Sequence, residues 1–174
     1  MVRAPAPRDK LNSRLAQGSL HSLTTVGLNA TRFLSLLFAA LALAPALAHL
    51  LELPNKIGLS RDDYLTVQQI YRGWALLGIV VFGALLSTLA LTIMVRGRRK
   101  AFSLALTAFL CIAGTQVLFW TFTFPANQAT SNWTMLPENW MALRTQWEYS
   151  HAASAVPNLI ALVALILSVL VRDE

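Results

Sequence analysis

Long apolar stretches alternate with short polar ones along this chain. Four apolar runs cover residues 33–51, 73–95, 101–124 and 152–171, and each is close to or above the ~20 residues with which an α-helix crosses a bilayer. Backbone groups in lipid have no water to bond, so a single lipid-exposed segment of this length must be helical. The pattern therefore predicts an all-α fold, an integral membrane four-helix bundle, with helices at about 33–52, 73–95, 101–124 and 147–171.

Proline positions predict where these helices end or bend. We expect Pro54 to stop the first helix and Pro125 to break the third, because proline lacks the N–H that continues the hydrogen-bond ladder. Pro137 suits the first turn of a helix that continues from the surface into the fourth span. Pro157 should distort that span within the membrane.

The segment before the first apolar run has a different character. Residues 1–32 mix Arg, Pro, Ser, Gly and Thr without sustained periodicity, and we interpret them as a flexible basic cytoplasmic tail next to a 33–174 membrane domain. After the first run, Ser60 and Asp63 have capping-box spacing, so residues 61–72 should lead helically into the second span.

Charge is scarce, and it is unevenly distributed between the two sides of the predicted bundle. Only 13% of the 174 residues are charged, about half of the usual share in soluble proteins. Ten of the fourteen Lys and Arg residues lie in the N-terminal tail, in the link between helices two and three, or after helix four. The positive-inside rule then puts both termini in the cytoplasm. The net charge of +6 thus reflects membrane topology, and we expect no nucleic-acid partner.

Cysteine chemistry is excluded within one chain. Cys111 is the only cysteine, and it falls in the middle of the third apolar run. A disulfide and a CxxC redox pair each need two cysteines, and we do not expect a lone cysteine within an apolar run to build a thiolate metal site. We therefore expect any metal site to use nitrogen and oxygen ligands.

Two His/Glu pairs of mirrored order carry the candidate chemistry. His49-x2-Glu52 closes the first apolar run, and Glu148-x2-His151 precedes the fourth. Residues three apart share a helical face. In antiparallel helices both imidazoles would lie at one depth, with both carboxylates nearer the surface. Ionisable groups at this depth are costly and usually functional, and the charge pattern places them at the outer leaflet.

Polar and aromatic residues share helical faces with these pairs. We expect Asn127, Trp120, Trp147, Trp140 and Asn55 to shape a substrate pocket, with the two asparagines also able to supply a weak ligand or hold water. Arg144 lies four residues before Glu148, the spacing of an ordinary helix salt bridge.

Several interpretations of the His/Glu set remain open. His49, Glu52, Glu148 and His151 suit one transition-metal ion, namely Fe, Mn, Zn or Cu. The same groups could instead hydrogen-bond one another without metal, with Glu148 paired to Arg144. A bis-histidine haem is a third hypothesis, which ranks lower because it gives the two glutamates no role.

The ordered set of residues around this site resembles a known family. His49-x2-Glu52-x-Pro54, Phe124-Pro125-x-Asn127, Trp140 and Trp147-Glu148-x2-His151, on four hydrophobic helices, are similar to the anthrone-oxygenase-like family. The resemblance covers residue 33 to the C-terminus and implies oxidation of aromatic polyketide anthrones to quinones by O2, with no identified cofactor. It further implies that His49 or His151 acts as a general base, or that a bound metal activates O2.

Two functions of different classes follow. The first is an oxygenase-type oxidoreductase for a small apolar aromatic substrate, with His49, His151, Glu52 and Glu148 as catalytic residues. The second is a non-catalytic subunit that binds metal or haem or docks a partner. The lipid bilayer is a partner in both, and a homo-oligomer remains open.

Overall fold

Helices account for most of the chain in the computed structural model, which describes the backbone of residues 7–171 and the side chains of residues 24–171. The all-α prediction is confirmed, with no strand in the described range. The described residues form six α-helices, which are α1 Pro7–Lys56, α2 Arg61–Gln68, α3 Leu77–Met94, α4 Arg99–Leu118, α5 Phe124–Ala129 and α6 Trp140–Leu170. Short 3₁₀ turns cover Gln69–Tyr71 and Trp74–Leu76, and a π-helical turn covers Phe119–Thr123.

Four segments of the described chain are long and apolar enough to span a membrane: Thr24–Lys56, Trp74–Met94, Arg99–Ala129 and Trp140–Leu170. Helix α6 packs against α1 and α4, and α3 packs against the same two helices. Each long helix thus has two neighbours in a ring. The protein is a multi-pass, four-helix membrane bundle, as its sequence predicts.

Small side chains let these helices approach one another closely. The larger hydrophobic cluster among the described residues contains seven buried alanines, at positions 39, 84, 101, 105, 108, 161 and 164. At Gly83 an added Cβ would lie only 2.7 Å from the ring of Phe38, so the α1–α3 contact depends on a residue without a side chain. Small residues are the usual means of close packing in lipid, where burial from water supplies no driving force between helices.

The predicted stop at Pro54 is wrong. Helix α1 continues through Pro54 and ends at Lys56. A proline removes one ladder hydrogen bond, and at this position the cost falls on the last turn, where few further bonds depend on it. The extra turn puts Lys56 four residues after Glu52, on the same face of the helix.

The predicted break at Pro125 is also wrong. A π-helical turn at Phe119–Thr123 precedes it, and the N–H of Phe124 donates to the carbonyl of Phe119, five residues earlier. This wider turn accommodates the proline, and the helix continues as α5 to Ala129. Single π turns in α-helices often mark functional sites.

The ends of α1 and α6 differ from the prediction in smaller ways. Helix α1 begins at Pro7, not near residue 31, and residues 1–6 lie outside the described part. Its first turns contain Leu11, Arg14 and Leu15, which are good helix formers. Helix α6 begins at Trp140, after Pro137, and is assigned as unbroken through Pro157. Whether residues 1–32 form a separate domain stays a prediction.

Candidate functional site

The two His/Glu pairs lie next to each other at one end of the bundle. Helices α1 and α6 bring the rings of His49 and His151 into a stacked arrangement, with 4.3 Å between centroids and 25° between planes. His49 is buried and His151 is partly buried. The antiparallel arrangement expected from the mirrored spacing is therefore present, and both imidazoles lie at one depth.

Glu52 links His49 to the aqueous end of α1. Its Oε1 atom lies 2.7 Å from Nδ1 of His49 and 3.3 Å from Nζ of Lys56. The hydroxyl of Tyr71 donates a hydrogen bond to the same oxygen. Lys56 and Tyr71 thus donate hydrogen bonds to one carboxylate oxygen, whereas Nδ1 of His49 lies close to it without a hydrogen bond to any described residue. Glu52 remains partly exposed.

Glu148 is fully buried and pairs with a residue that the sequence interpretation did not consider. Its Oε1 atom lies 2.9 Å from Nζ of Lys56 and accepts a 2.9 Å hydrogen bond from the Tyr64 hydroxyl. The Tyr64 hydroxyl in turn accepts a hydrogen bond from the Gln68 amide. The other oxygen of Glu148, Oε2, has no hydrogen-bond partner within the described chain.

The Arg144–Glu148 salt bridge considered above is not formed among the described residues. Arg144 donates to the carbonyl of Leu59 at 2.8 Å. Its guanidinium lies 4.7 Å from the centre of the Trp140 ring and 5.4 Å from that of Tyr64. The arginine therefore joins α6 to the α1–α2 link, and Lys56 takes its place as the cation of Glu148.

Lys56 is the centre of this network and the main residue that sequence reasoning missed. Only 4% of it is exposed, and its Nζ also donates to the Tyr71 hydroxyl at 2.7 Å. The ammonium lies 4.4 Å from the centre of the Tyr71 ring and 5.0 Å from that of Trp147. The expected stop at Pro54 assigned Lys56 to a loop, although its spacing from Glu52 was the available signal.

Helix α2 and the loop before α6 cover the network on its polar side. Arg61 donates to the carbonyl of Leu136 at 2.9 Å, and Gln69 donates to that of Trp133 at 3.0 Å. Ser60 caps α2 by accepting from the N–H of Asp63, as its spacing predicted. These contacts hold Tyr64, which is buried, over Glu148.

Burial changes the acidity of the two tyrosines in this cover. It raises the pKa of Tyr64 well above the usual value, and the negative charge of Glu148 raises it further. Burial also raises the pKa of Tyr71, with the hydrogen bond to Glu52 as the next cause. Both phenols therefore remain neutral hydrogen-bond donors to the carboxylates through the physiological pH range.

A cavity of about 490 Å³ adjoins the histidine pair. His49 and His151 form part of its wall, and six further lining residues are aromatic. The aromatic lining residues are Tyr71, Trp74, Phe119, Phe124, Trp133 and Trp147. Polar side chains of Arg72, Asn132 and Thr134 line the exposed rim. A volume of this size and lining is typical of a site for a small apolar ligand.

Asn127 orients two of these aromatic walls. Its Oδ1 atom accepts hydrogen bonds from the indole N–H groups of Trp147, at 2.8 Å, and Trp133, at 3.1 Å. Trp133 reaches this position through a strained turn, because Ser131, Asn132 and Trp133 all have positive φ angles of 50–61°. Strain of this kind costs free energy and often accompanies functional sites.

The other residues expected to bind substrate lie away from the cavity. Trp120 is 58% exposed on the outside of the bundle, Trp140 packs on Tyr64 and Arg144, and Asn55 is exposed. None of the three lines the cavity. The π turn places Trp120 off the face that it would share with Asn127 in a regular α-helix.

Three of the four proposed metal ligands converge. His49, Glu52 and Glu148 each offer a ligand atom within 4.8 Å of the others, close enough to hold one metal ion. His151 is absent from this group and stacks on His49 instead. Nζ of Lys56 lies within 3.3 Å of both carboxylates, so an ammonium already supplies positive charge at this point.

The stacked imidazoles do not fit a haem. Axial histidines approach the iron from opposite sides of the macrocycle, which must lie between their rings. A centroid separation of 4.3 Å with nearly parallel planes leaves no space for it. This geometry removes the bis-histidine hypothesis as an explanation of the pair.

Comparison of the chain with known protein families, with curated proteins and with solved structures finds no match. What the site does must therefore be argued from its own geometry.

Proposed function

We propose that the protein is an oxygenase-type oxidoreductase that acts on a small apolar aromatic substrate in the cavity beside His49 and His151. The stacked pair on the wall of an aromatic-lined cavity is the observation that carries the proposal. The resemblance to the anthrone-oxygenase-like family supports the same reaction class. The positive-inside pattern supports cytoplasmic termini, and in that orientation the cavity would lie at the outer leaflet.

His49 is the proposed general base. Oε1 of Glu52 lies 2.7 Å from Nδ1, and its negative charge favours a proton on that nitrogen, which would leave Nε2 as the basic nitrogen. Lys56 and Tyr71 hold Glu52 from the other side, so its negative charge stays next to the imidazole. His151, stacked on His49, shares the wall and is positioned to receive or return a proton.

The proposed reaction balances without an external reductant. A methylene group that lies between two aromatic rings reacts with one molecule of O2 to give a diaryl ketone and one molecule of water. The base removes a proton to form an electron-rich carbanion, which gives its electrons to O2 and forms the C–O bond. Loss of water from the resulting hydroperoxide completes the four-electron oxidation, and both methylene protons leave with the second oxygen atom.

The cavity wall contributes binding and exclusion of water. Trp147 makes edge-on contacts with both histidine rings, at 5.1 and 4.3 Å between centroids. Offset and edge-on aromatic contacts favour a flat aromatic ligand. An apolar site also strengthens each electrostatic contact that the base makes.

Oxygen consumption by the purified protein in lipid nanodiscs tests the proposal. With a hydroxylated anthrone, we expect one O2 consumed for each quinone formed, with activity lost in His49→Gln and retained in Tyr149→Phe, a variant at an exposed position on α6. Uptake of O2 that persists in both His49→Gln and His151→Gln would contradict a histidine base.

Metal binding is the second candidate function, and the His49–Glu52–Glu148 group favours it. The unpartnered Oε2 of Glu148 is a free ligand atom inside the protein. Elemental analysis of the purified protein is the test. One metal ion per chain, lost in His49→Ala, would support a metal-binding bundle in place of base catalysis by His49.

A further inference from the structure

An apolar groove lies on the lipid-facing side of the bundle, directly behind one wall of the cavity. Its volume is about 570 Å³, and it runs between α1 and the start of α3. The residues that line it are Leu41, Ala44, Pro45, Ala48, Gly73, Trp74, Leu76 and Leu77. All of them except Gly73 lie within segments long and apolar enough to span a membrane, so we expect the groove to face lipid.

The groove and the cavity share two residues, Gly73 and Trp74. Trp74 therefore contributes to the wall of both spaces. On the inner side it contacts the rings of His49, at 5.7 Å, and Tyr71, at 4.9 Å. Its exposed fraction is 37%. Trp74 is therefore in contact with the histidine pair and also lines the groove.

The backbone next to Trp74 adopts a left-handed conformation at Gly73. Gly73 has a φ angle of +90°, a region that residues with a Cβ rarely adopt. It connects two short 3₁₀ turns, Gln69–Tyr71 and Trp74–Leu76, which have weaker hydrogen-bond geometry than an α-helix. Trp74 thus lies in a 3₁₀ turn at the start of the second span, where the backbone hydrogen bonds are weaker than in the α-helix that follows.

We infer that this groove is a second ligand subsite, the lipid-side port through which a small apolar aromatic molecule reaches the cavity past Trp74. The inference rests on the proposed function for the identity of the ligand. Partitioning into the bilayer concentrates such a molecule at the groove, because burial of apolar surface is favourable. The rim at Arg72, Asn132 and Thr134 is polar and suits water and a more polar product.

Association kinetics of 1-naphthol, an apolar phenol, test the port in nanodiscs that contain the full chain. Binding is followed by quenching of tryptophan fluorescence in stopped flow. Ala48→Phe fills the groove without adding a tryptophan. Leu50→Phe is the matched control, because it lies two residues further on, about 200° around α1, and outside the groove. Thr134→Phe obstructs the polar rim instead.

We expect Ala48→Phe to slow both association and dissociation by about tenfold, equivalent to ~1.4 kcal/mol in the barrier, with little change in Kd. A blocked path slows both directions equally, whereas a damaged site raises Kd. Trp74→Ala should speed both steps. Leu50→Phe should match the native protein.

Slower binding in Thr134→Phe with native kinetics in Ala48→Phe would overturn the port and assign access to the polar rim. Absence of saturable naphthol binding to the native protein would overturn it as well. Failure of the proposed function has a different signature. If naphthol binds through the groove but the anthrone causes no O2 uptake, the port stands and the oxygenase proposal falls.

Discussion

Nζ of Lys56 lies 2.9 Å from Oε1 of Glu148, joining α1 to α6 at the level of the cavity. Only 4% of the lysine and none of the glutamate is exposed. Glu52 completes the group at 3.3 Å from the same ammonium. Either charge left alone at this depth would be costly, so the pair makes the position of each helix depend on the other.

Replacing Lys56 with methionine should strongly destabilise the bundle. Methionine keeps the side-chain length but leaves the Glu148 carboxylate buried without its cation, which costs about 3–5 kcal/mol when one partner of a buried pair is removed. The free energy of unfolding, measured by denaturant titration in detergent micelles, is the appropriate quantity.

A double-mutant cycle separates the interaction between Lys56 and Glu148 from the effect of each single substitution. Glu148→Gln removes the opposite charge, and Lys56→Met combined with Glu148→Gln leaves no unpaired charge between these two positions. We expect the double variant to be more stable than Lys56→Met alone. Additive losses would show that Lys56 and Glu148 are not coupled.

Removing the ammonium should also change metal affinity. The ligand atoms of His49, Glu52 and Glu148 lie within 4.8 Å of one another. Lys56→Ala removes the cation that offsets part of the negative charge of the two carboxylates. We expect Zn²⁺ affinity to rise by at least about tenfold, or ~1.4 kcal/mol, over the native protein.

Isothermal titration with Zn²⁺ measures this difference. The control is Lys56→Ala combined with His49→Ala, which removes one ligand and should cancel the gain. Equal Zn²⁺ affinity in native protein and Lys56→Ala would mean that the ammonium does not occupy the position of a metal.

Alkaline pH should weaken the cover formed by Tyr64 and Tyr71. Their pKa values are raised in the folded state by burial and by the neighbouring carboxylates, whereas unfolded tyrosine ionises near pH 10. Their contribution is complete below that pH. As the pH rises further, this contribution falls by at most about 1.4 kcal/mol per tyrosine per pH unit. It falls because the unfolded chain releases protons that the folded chain retains.

Free energies of unfolding measured between pH 8 and pH 11 test whether the protein loses stability as the pH rises. Tyr71→Phe should reduce the loss of stability above pH 10 relative to the native chain. Tyr149→Phe, at an exposed position, should leave it unchanged. A native-like alkaline loss in Tyr71→Phe would show that this phenol does not contribute to it.

The bundle could be predicted from sequence because apolar length in a membrane leaves few alternatives. The same is true of the His49–His151 neighbourhood, since helical spacing and antiparallel packing determine depth directly. The predicted helix ends at Pro54 and Pro125 were wrong. Proline is tolerated near a helix end or after a π turn, where other contacts replace the missing hydrogen bond.

The network around Lys56 needed tertiary information. Tyr64 reaches Glu148 across 84 residues of sequence, and the strained turn at 131–133 that buries Trp133 has only Asn132 as a local signal for positive φ. Trp120 failed to line the cavity for a related reason, because a π turn rotates it relative to regular helical spacing. Sequence periodicity predicts faces, but it does not predict where the period changes.

Gly83 offers a test of how closely α1 and α3 pack. In Gly83→Ala the new methyl group would lie 2.7 Å from the Phe38 ring, so the helices must separate or the ring must move, at a cost of about 1–3 kcal/mol. Gly78→Ala is the matched control on α3, because no atom lies within 4 Å of its added Cβ, and it should be as stable as the native protein or more so.

Thermal unfolding in micelles compares the two alanine variants, and Phe38→Leu should restore part of the stability that Gly83→Ala loses. Equal stability of the two alanine variants would mean that the α1–α3 contact is looser than the structure describes.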